Sequence, residues 1–209
     1  FIKFNDEQID SFLFMELSDL AKALTKQNDV EVDYSVQSYL DPIEKKIYVS
    51  HFWDHRDKNE TVNGLKSDVF LRCIGNFHHT NYHEIGLFIE KTKHLKFPSF
   101  ARQLAMLLED IRIEELCKKE RAGTKKVFSV RRDLYRKYFQ SQLIIHQERS
   151  ISTDALFNYL YLQLTAQSPI NNHAALIENI QRILPFLESK LFQVYECRST
   201  KQVLNLVTE

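Results

Sequence analysis

From Thr61 onward the apolar side chains recur three and four positions apart, interrupted near Thr80, Pro98, Gly123, Ser150 and Pro169. That spacing is the signature of amphipathic helices, each turning one stripe toward a core. It predicts helices over about 63–77, 81–93, 99–121, 127–147, 152–166, 173–194 and 199–207. Pro185 is expected to kink or divide the sixth, because proline removes a helical donor. Upstream, Asn5 and Gln8 resemble a capping box, and Ile9, Phe12, Leu13, Leu17, Leu20 and Leu24 set a first helix over about 6–25. From Val30 the period changes to two, with Val30, Val32, Tyr34 and Val36 alternating with Glu31, Asp33, Ser35 and Gln37. Asp41 and Pro42 supply turn chemistry, and Lys46 to Trp53 forms a second β-prone run. The chain reads as mainly α: a helical bundle with a small N-terminal β-hairpin over about 29–53, in a single mainly helical domain spanning 1–209.

Composition removes several functional classes. The only glycines are Gly64, Gly75, Gly86 and Gly123, too widely spaced for a Walker loop or a dinucleotide-binding turn, both of which need glycines close together. Cys73, Cys117 and Cys197 are distant and odd in number, with no C-x-x-C pair, which argues against a disulfide framework and against a cysteine-based zinc site. No apolar run approaches the roughly 18 residues of a membrane span, and the amino end lacks a secretory signal pattern, so a cytoplasmic location is expected. The chain begins with Phe1 and still reads as helix at its end, which suggests the N-terminal fragment of a longer protein.

Lys plus Arg number 28 and Asp plus Glu 28, so the formal charge is zero and a uniformly basic nucleic-acid coat is excluded. The balance hides a segregation. Residues 1–60 hold 7 basic and 13 acidic side chains, a net of −6, whereas residues 117–149 hold 10 and 3, a net of +7. The basic cluster contains Lys118, Lys119, Arg121, Lys125, Lys126, Arg131, Arg132, Arg136 and Lys137, interleaved with Phe128, Tyr135, Tyr138 and Phe139. Such a mixture can grip phosphates and stack on bases. The preferred reading is a solvated helix face over an aromatic core, available to an acidic protein partner at least as readily as to nucleic acid.

Two sets of residues have the right types for chemistry. His79 and His83, four apart, would share one helical face as zinc ligands do, but Thr80 stands where an H-E-x-x-H motif needs its glutamate. Surface or capping histidines are the preferred reading, and no metal ligand is assigned. In the helix over 99–121, Phe100, Leu104, Leu107, Leu108 and Ile111 form an apolar stripe interrupted by Glu109, Asp110, Arg112, Glu114 and Glu115. Glu109 can pair with Arg112, three residues on. Asp110 and Glu114, one turn apart, repel unless a cation approaches, whether an arginine or a metal. A salt-bridged helix organising the bundle is preferred over a carboxylate site.

The segment Phe100-Ala-Arg-Gln-Leu104 through Leu108-Glu-Asp-Ile-Arg-Ile-Glu114, then Arg121-Ala-Gly-Thr124 and a basic aromatic helix, resembles the N-terminal region of NorD-type proteins. These nitric-oxide-reductase activation proteins are related to the CobT subunit of cobalt chelatase. Partial matches at Tyr48-Val-Ser-His-Phe-Trp-Asp54, Ser67-Asp-Val-Phe-Leu-Arg72, Gly75-Asn76, Asp154-Ala-Leu-Phe157 and Tyr161-Leu162 extend the resemblance over most of residues 40–165. Family members carry a C-terminal von Willebrand factor A domain, with a D-x-S-x-S metal site, and work with a MoxR-type AAA+ ATPase. No D-x-S-x-S occurs here. The resemblance implies a non-enzymatic interaction domain of an adaptor, with no cofactor in this chain, that helps the ATPase mature or remodel an unidentified protein target. The order strand, helix, acidic helix also resembles zinc peptidases, in which Ser67 to Arg72 would stand in place of H-E-x-x-H. A zinc metallopeptidase-like domain, degenerate or active, and nucleic-acid binding through 118–137 are the alternatives.

Overall fold

The computed structural model describes residues 11–166 and 182–208. The chain is mainly helical, with one three-stranded sheet among the described residues. Its contacts fall into two compact units, Phe1–His78 and His79–Glu209.

In the first unit α1 (Ser11–Thr25) precedes the strands β1 (Glu31–Ser35), β2 (Tyr39–Asp41) and β3 (Lys46–Ser50), which are ordered β1-β3-β2. The two β-prone runs read from the sequence do pair, but as parallel neighbours, with Val32 opposite Ile47 and Tyr34 opposite Val49. The hairpin is instead β2 with β3, with Tyr39 opposite Tyr48 and Asp41 opposite Lys46. The expected hairpin over 29–53 is thus corrected in its pairing. The Asp41 turn serves β2: its carboxylate accepts from the amides of Ile43 and Glu44, and Lys45 takes a left-handed φ of 51°. A three-residue strand is too short to show alternation. Val30, Val32, Ile47 and Val49 are buried as the period of two requires, whereas Val36 lies beyond the strand end and is exposed.

A 3₁₀ turn, His51–Trp53, leads to α2 (Lys58–Phe70), whose N-cap Asp57 accepts from Glu60 N at 2.9 Å. This cap starts the helix several residues before the predicted position of 63. Trp53 is fully buried, and its Nε1 donates to Asp68 Oδ2 at 2.7 Å. Ser50 N donates to the same oxygen at 2.9 Å, so one buried carboxylate joins the end of β3 to the tryptophan. Gly64 makes this packing feasible, since a Cβ there would lie 2.3 Å from Trp53 Cδ2. Beyond α2, the helix widens into a π-helix, Leu71–Asn76, where Phe77 N donates to Arg72 O five residues back. Arg72, 6% exposed, donates to Ser38 Oγ and Asn76 Oδ1. A short helix, α3 (Phe77–His79), follows.

The second unit contains α4 (Tyr82–Thr92), α5 (Pro98–Glu120), α6 (Lys125–Glu148), α7 (Ser152–Thr165), α8 (Leu184–Phe192) and α9 (Thr200–Thr208). Their boundaries follow local chemistry. Asn81 caps α4 by accepting from His83 N and Glu84 N, and Pro98 stands in the first turn of α5, where a missing donor costs little. Ser150, at a φ of 56°, turns α6 into α7. Pro185, expected to kink or divide a helix, occupies the first turn of α8 and so lies at a helix start. Residues 173–181 of the predicted sixth helix and the capping pair Asn5 and Gln8 lie outside the described residues. The core joins Leu104, Leu108 and Ile111 of α5 to Leu143 of α6, Leu160, Leu162 and Leu164 of α7, Leu191 of α8 and Val203 of α9. Among the described residues no helix is long and apolar enough to cross a membrane.

Two measurements check this packing. Gly64→Ala drives a methyl into the buried indole and should cost about 1–3 kcal/mol in urea unfolding through overpacking, with Trp53 fluorescence shifted in the folded state. In the second unit, Tyr159 donates to Glu188 and accepts from Gln163 Nε2. Burial first, and then the bond to Glu188, push its phenol up to about 12 from the ordinary 10.0, and burial likewise raises Tyr161. A raised phenol pKa means that the unfolded chain loses its protons first. The stabilisation is therefore complete below pH 10 and is lost as pH rises toward 12. Tyr159→Phe should remove part of this alkaline loss, read by unfolding at several pH values alongside phenolate absorbance.

Candidate functional site

Two charged networks lie along α5, and burial separates their roles. The first is sealed. Glu109 and Arg112 are each 2% exposed and form a two-pronged pair, with Arg112 Nε donating to Glu109 Oε2 at 2.8 Å and Nη2 to Oε1 at 2.6 Å. Thr80 and Thr200 hydroxyls donate to the same Oε1 at 2.8 and 2.9 Å, and Arg112 Nη2 also donates to His79 O at 2.8 Å. Thr200 Oγ1 in turn accepts from Asn81 N at 2.9 Å. One carboxylate and one guanidinium therefore fasten the loop before α4 and the first residue of α9 onto α5. Each charge is met by an opposite charge and by further hydrogen bonds, the condition under which a buried pair is tolerated.

The second network opens on solvent. About one turn farther along α5, Glu114 and Glu115 meet Arg132 from α6. Arg132 Nε lies 2.6 Å from Glu114 Oε1, a contact of charge rather than an aligned hydrogen bond, and Arg132 Nη2 donates to Glu115 Oε1 at 2.9 Å. Lys118 Nζ approaches Glu115 Oε1 at 2.5 Å and Glu114 Oε1 at 3.3 Å. Burial alone would lower the pKa of Arg132, but Glu114, with Tyr195 and Glu115, holds it above the usual guanidinium value. These four side chains line a cleft of about 500 Å³ between the end of α5 and the start of α6. Its walls also carry Lys119, Lys125, Ser129, Asp133 and Arg136.

The structure divides the basic cluster read from the sequence. Arg132 and Lys118 are held by α5 carboxylates, so Arg132 is an internal strut and not part of a solvated face. Arg131 is 7% exposed, with its guanidinium 4.8 Å from the Tyr135 ring centre. Arg136 is half-buried and lies 3.4 Å from Asp133. Lys119, Arg121, Lys125 and Lys126 are exposed. Of the aromatics, Phe128 is fully buried, Tyr135 and Phe139 pack against the core, and Tyr138 is 40% exposed.

Within the acidic motif, Glu109 pairs with Arg112 as its spacing suggests, and the cations that relieve Glu114 are Arg132 and Lys118. Asp110 is half-buried on α5. The shared face for His79 and His83 does not form, because the helix breaks at Thr80 and Asn81 and leaves His79 at the end of α3 and His83 in α4. His79 Nε2 is 2.7 Å from Glu120 Oε1, and His83 is exposed. Among the described residues, no group of three or more His, Cys, Asp and Glu side chains is placed to hold a metal ion. Sequence reasoning missed Thr80, Thr200 and Asp68. Threonines beside helix starts and one aspartate inside a mostly polar helix give no pattern of their own, and only the fold brings them to their partners.

The chain is 55% identical over 210 aligned residues to the uncharacterized protein YojO of Bacillus subtilis (strain 168). The match covers 100% of this chain and 33% of the relative, so the chain spans about a third of the length of the curated relative it matches. No family model matches, and no solved structure matches.

The sealed network yields a graded expectation. Arg112→Met leaves Glu109 charged, buried and without its cation, and should destabilise the second unit by about 3–5 kcal/mol. Thr200→Val removes one donor to Glu109 and the acceptor of Asn81 N, and should cost about 1–3 kcal/mol. Urea unfolding followed by circular dichroism measures both, and equal effects of the two substitutions would contradict this hierarchy.

Proposed function

We propose that this chain is a non-enzymatic interaction region of a NorD-like protein that works in the cytoplasm with a MoxR-type AAA+ ATPase to mature or remodel a protein target. The observation that carries this reading is the division of charge along α5. Glu109 and Arg112, the central residues of the E-D-x-R-x-E resemblance, are consumed inside the bundle, where they fix helices. Charge left at the surface surrounds the α5–α6 cleft, whose exposed Lys119 and Lys125 suit a protein partner of opposite sign. On this reading the acidic motif is a structural signature of the adaptor, and ATP hydrolysis and any metal chemistry belong to other domains or chains.

The test is co-purification of the chain with the MoxR-type ATPase encoded in the same genome. Retention by the wild-type chain is expected, with a marked loss for Lys119→Glu combined with Lys125→Glu and none for Lys22→Glu on α1. Failure of the wild-type chain to retain the ATPase would overturn the proposal. Metal analysis bears on the zinc-hydrolase alternative: stoichiometric zinc that disappears on substitution of His79 and His83 would also overturn a purely adaptor role.

A further inference from the structure

The anions around the α5–α6 cleft are not equivalent. Glu114 is the inner one, its side chain 9% exposed and set against Arg132 Nε. Glu115 stands at the rim, its side chain 28% exposed, and takes Arg132 Nη2 and Lys118 Nζ on the same oxygen. Arg132 is held by Glu114 whatever Glu115 does, so the outer carboxylate occupies a preformed seat whose cations remain when it leaves. Resting on the protein-binding reading above, we propose that this cleft is the binding site for an acidic peptide segment of a partner protein. Glu115 is its internal competitor, filling the seat that a partner Asp or Glu takes.

Charge and shape favour that occupant. Five cations line the cleft, Lys118, Lys119, Lys125, Arg132 and Arg136, against the three carboxylates Glu114, Glu115 and Asp133. The volume of about 500 Å³ lies within the ligand-scale range of roughly 300–1,000 Å³. Among the described residues that line it, the one aromatic side chain, Phe128, is fully buried and offers no face for base stacking. Carboxylates inside the walls also oppose a continuous polyphosphate, whereas a peptide presents separate charges that can fall between them. Exchange replaces one carboxylate on Arg132 Nη2 and Lys118 by another, so no new cation has to be desolvated, while Lys119 and Lys125 offer attraction that Glu115 does not already use.

The experiment measures anisotropy of a fluorescein-labelled octaglutamate peptide with the full chain at low salt. The wild-type chain should bind it, Glu115→Gln should tighten binding roughly two- to fivefold, and Lys119→Glu or Lys125→Glu should weaken it by a similar factor. The gain on removing Glu115 is the specific signature, because a general loss of structure would not produce it. Circular dichroism confirms folding, and if Lys125→Glu unfolds then Lys119→Glu and Glu115→Gln carry the test. The proposal is overturned if the peptide does not bind, or if Glu115→Gln leaves affinity unchanged or lower. It is equally overturned if octathymidylate binds more tightly than the peptide, or if equimolar inorganic phosphate displaces the peptide. An ATPase retained equally by the wild-type chain and every cleft variant would remove the cleft proposal and leave the adaptor role standing. Peptide binding with the expected pattern, but no ATPase retained, would do the reverse.

Discussion

A carboxylate and a guanidinium withdrawn from water must find both an opposite charge and enough hydrogen bonds to replace hydration, and Glu109 and Arg112 meet that requirement only in one arrangement of the second unit. Their partners are Thr80 and the His79 carbonyl before α4, and Thr200 at the start of α9, more than 80 residues apart along the chain. A sliding of α9 by one helical turn would preserve much of the apolar contact made by Val203 and Leu204 but would carry Thr200 away from Glu109. Apolar packing is non-directional and tolerates such slips, whereas the polar cluster does not. Its contribution is therefore better described as fixing register than as adding net stability.

The first unit solves a similar problem with one charge. Asp68 collects the Ser50 amide and the Trp53 indole on a single oxygen, and Gly64 clears the space that the indole needs. Here too a buried acidic residue on a helix fixes how elements meet. The π-helical turn that follows brings Arg72 and Asn76 together at buried positions, beside the buried Ser67 and Asp68 at the end of α2.

Much of this was legible from periodicity. Helices with clear stripes and local caps emerged within a few residues of their predicted bounds, because the information that defines them is contained in three- and four-residue spacings and in single residues such as Pro98 and Asn81. The sheet was legible as strands but not as a topology. Alternation reports which side chains face the core, yet it is the same for parallel and antiparallel pairing, and three-residue β2 left no pattern. At the candidate site, the Glu109–Arg112 pair followed from helical spacing alone, while the partnership of Glu114 with Arg132 required knowing that α6 packs beside α5. Pro185 was legible as a break in the helical periodicity, and it stands in the first turn of α8, where its missing donor costs little.

The division of the basic cluster follows from the same geometry. Residues on α6 that face α5 are drawn into its carboxylates, so Arg132 contributes to the wall of the cleft rather than to a uniform positive face. Net charge counted along the sequence therefore overstates what a partner meets. The cleft surface is instead mixed: cations outnumber anions by a small margin, and Glu115, more exposed than Glu114, is the anion that meets both Arg132 and Lys118 on one oxygen. Such a surface favours ligands with discrete, spaced charges over a dense polyanion, because each wall carboxylate penalises charge placed against it. Selectivity of this kind depends on the inner pair of Glu114 and Arg132 staying fixed while the outer carboxylate moves, and the close packing of α5 against its neighbours, anchored one turn earlier by Glu109 and Arg112, provides that fixed point.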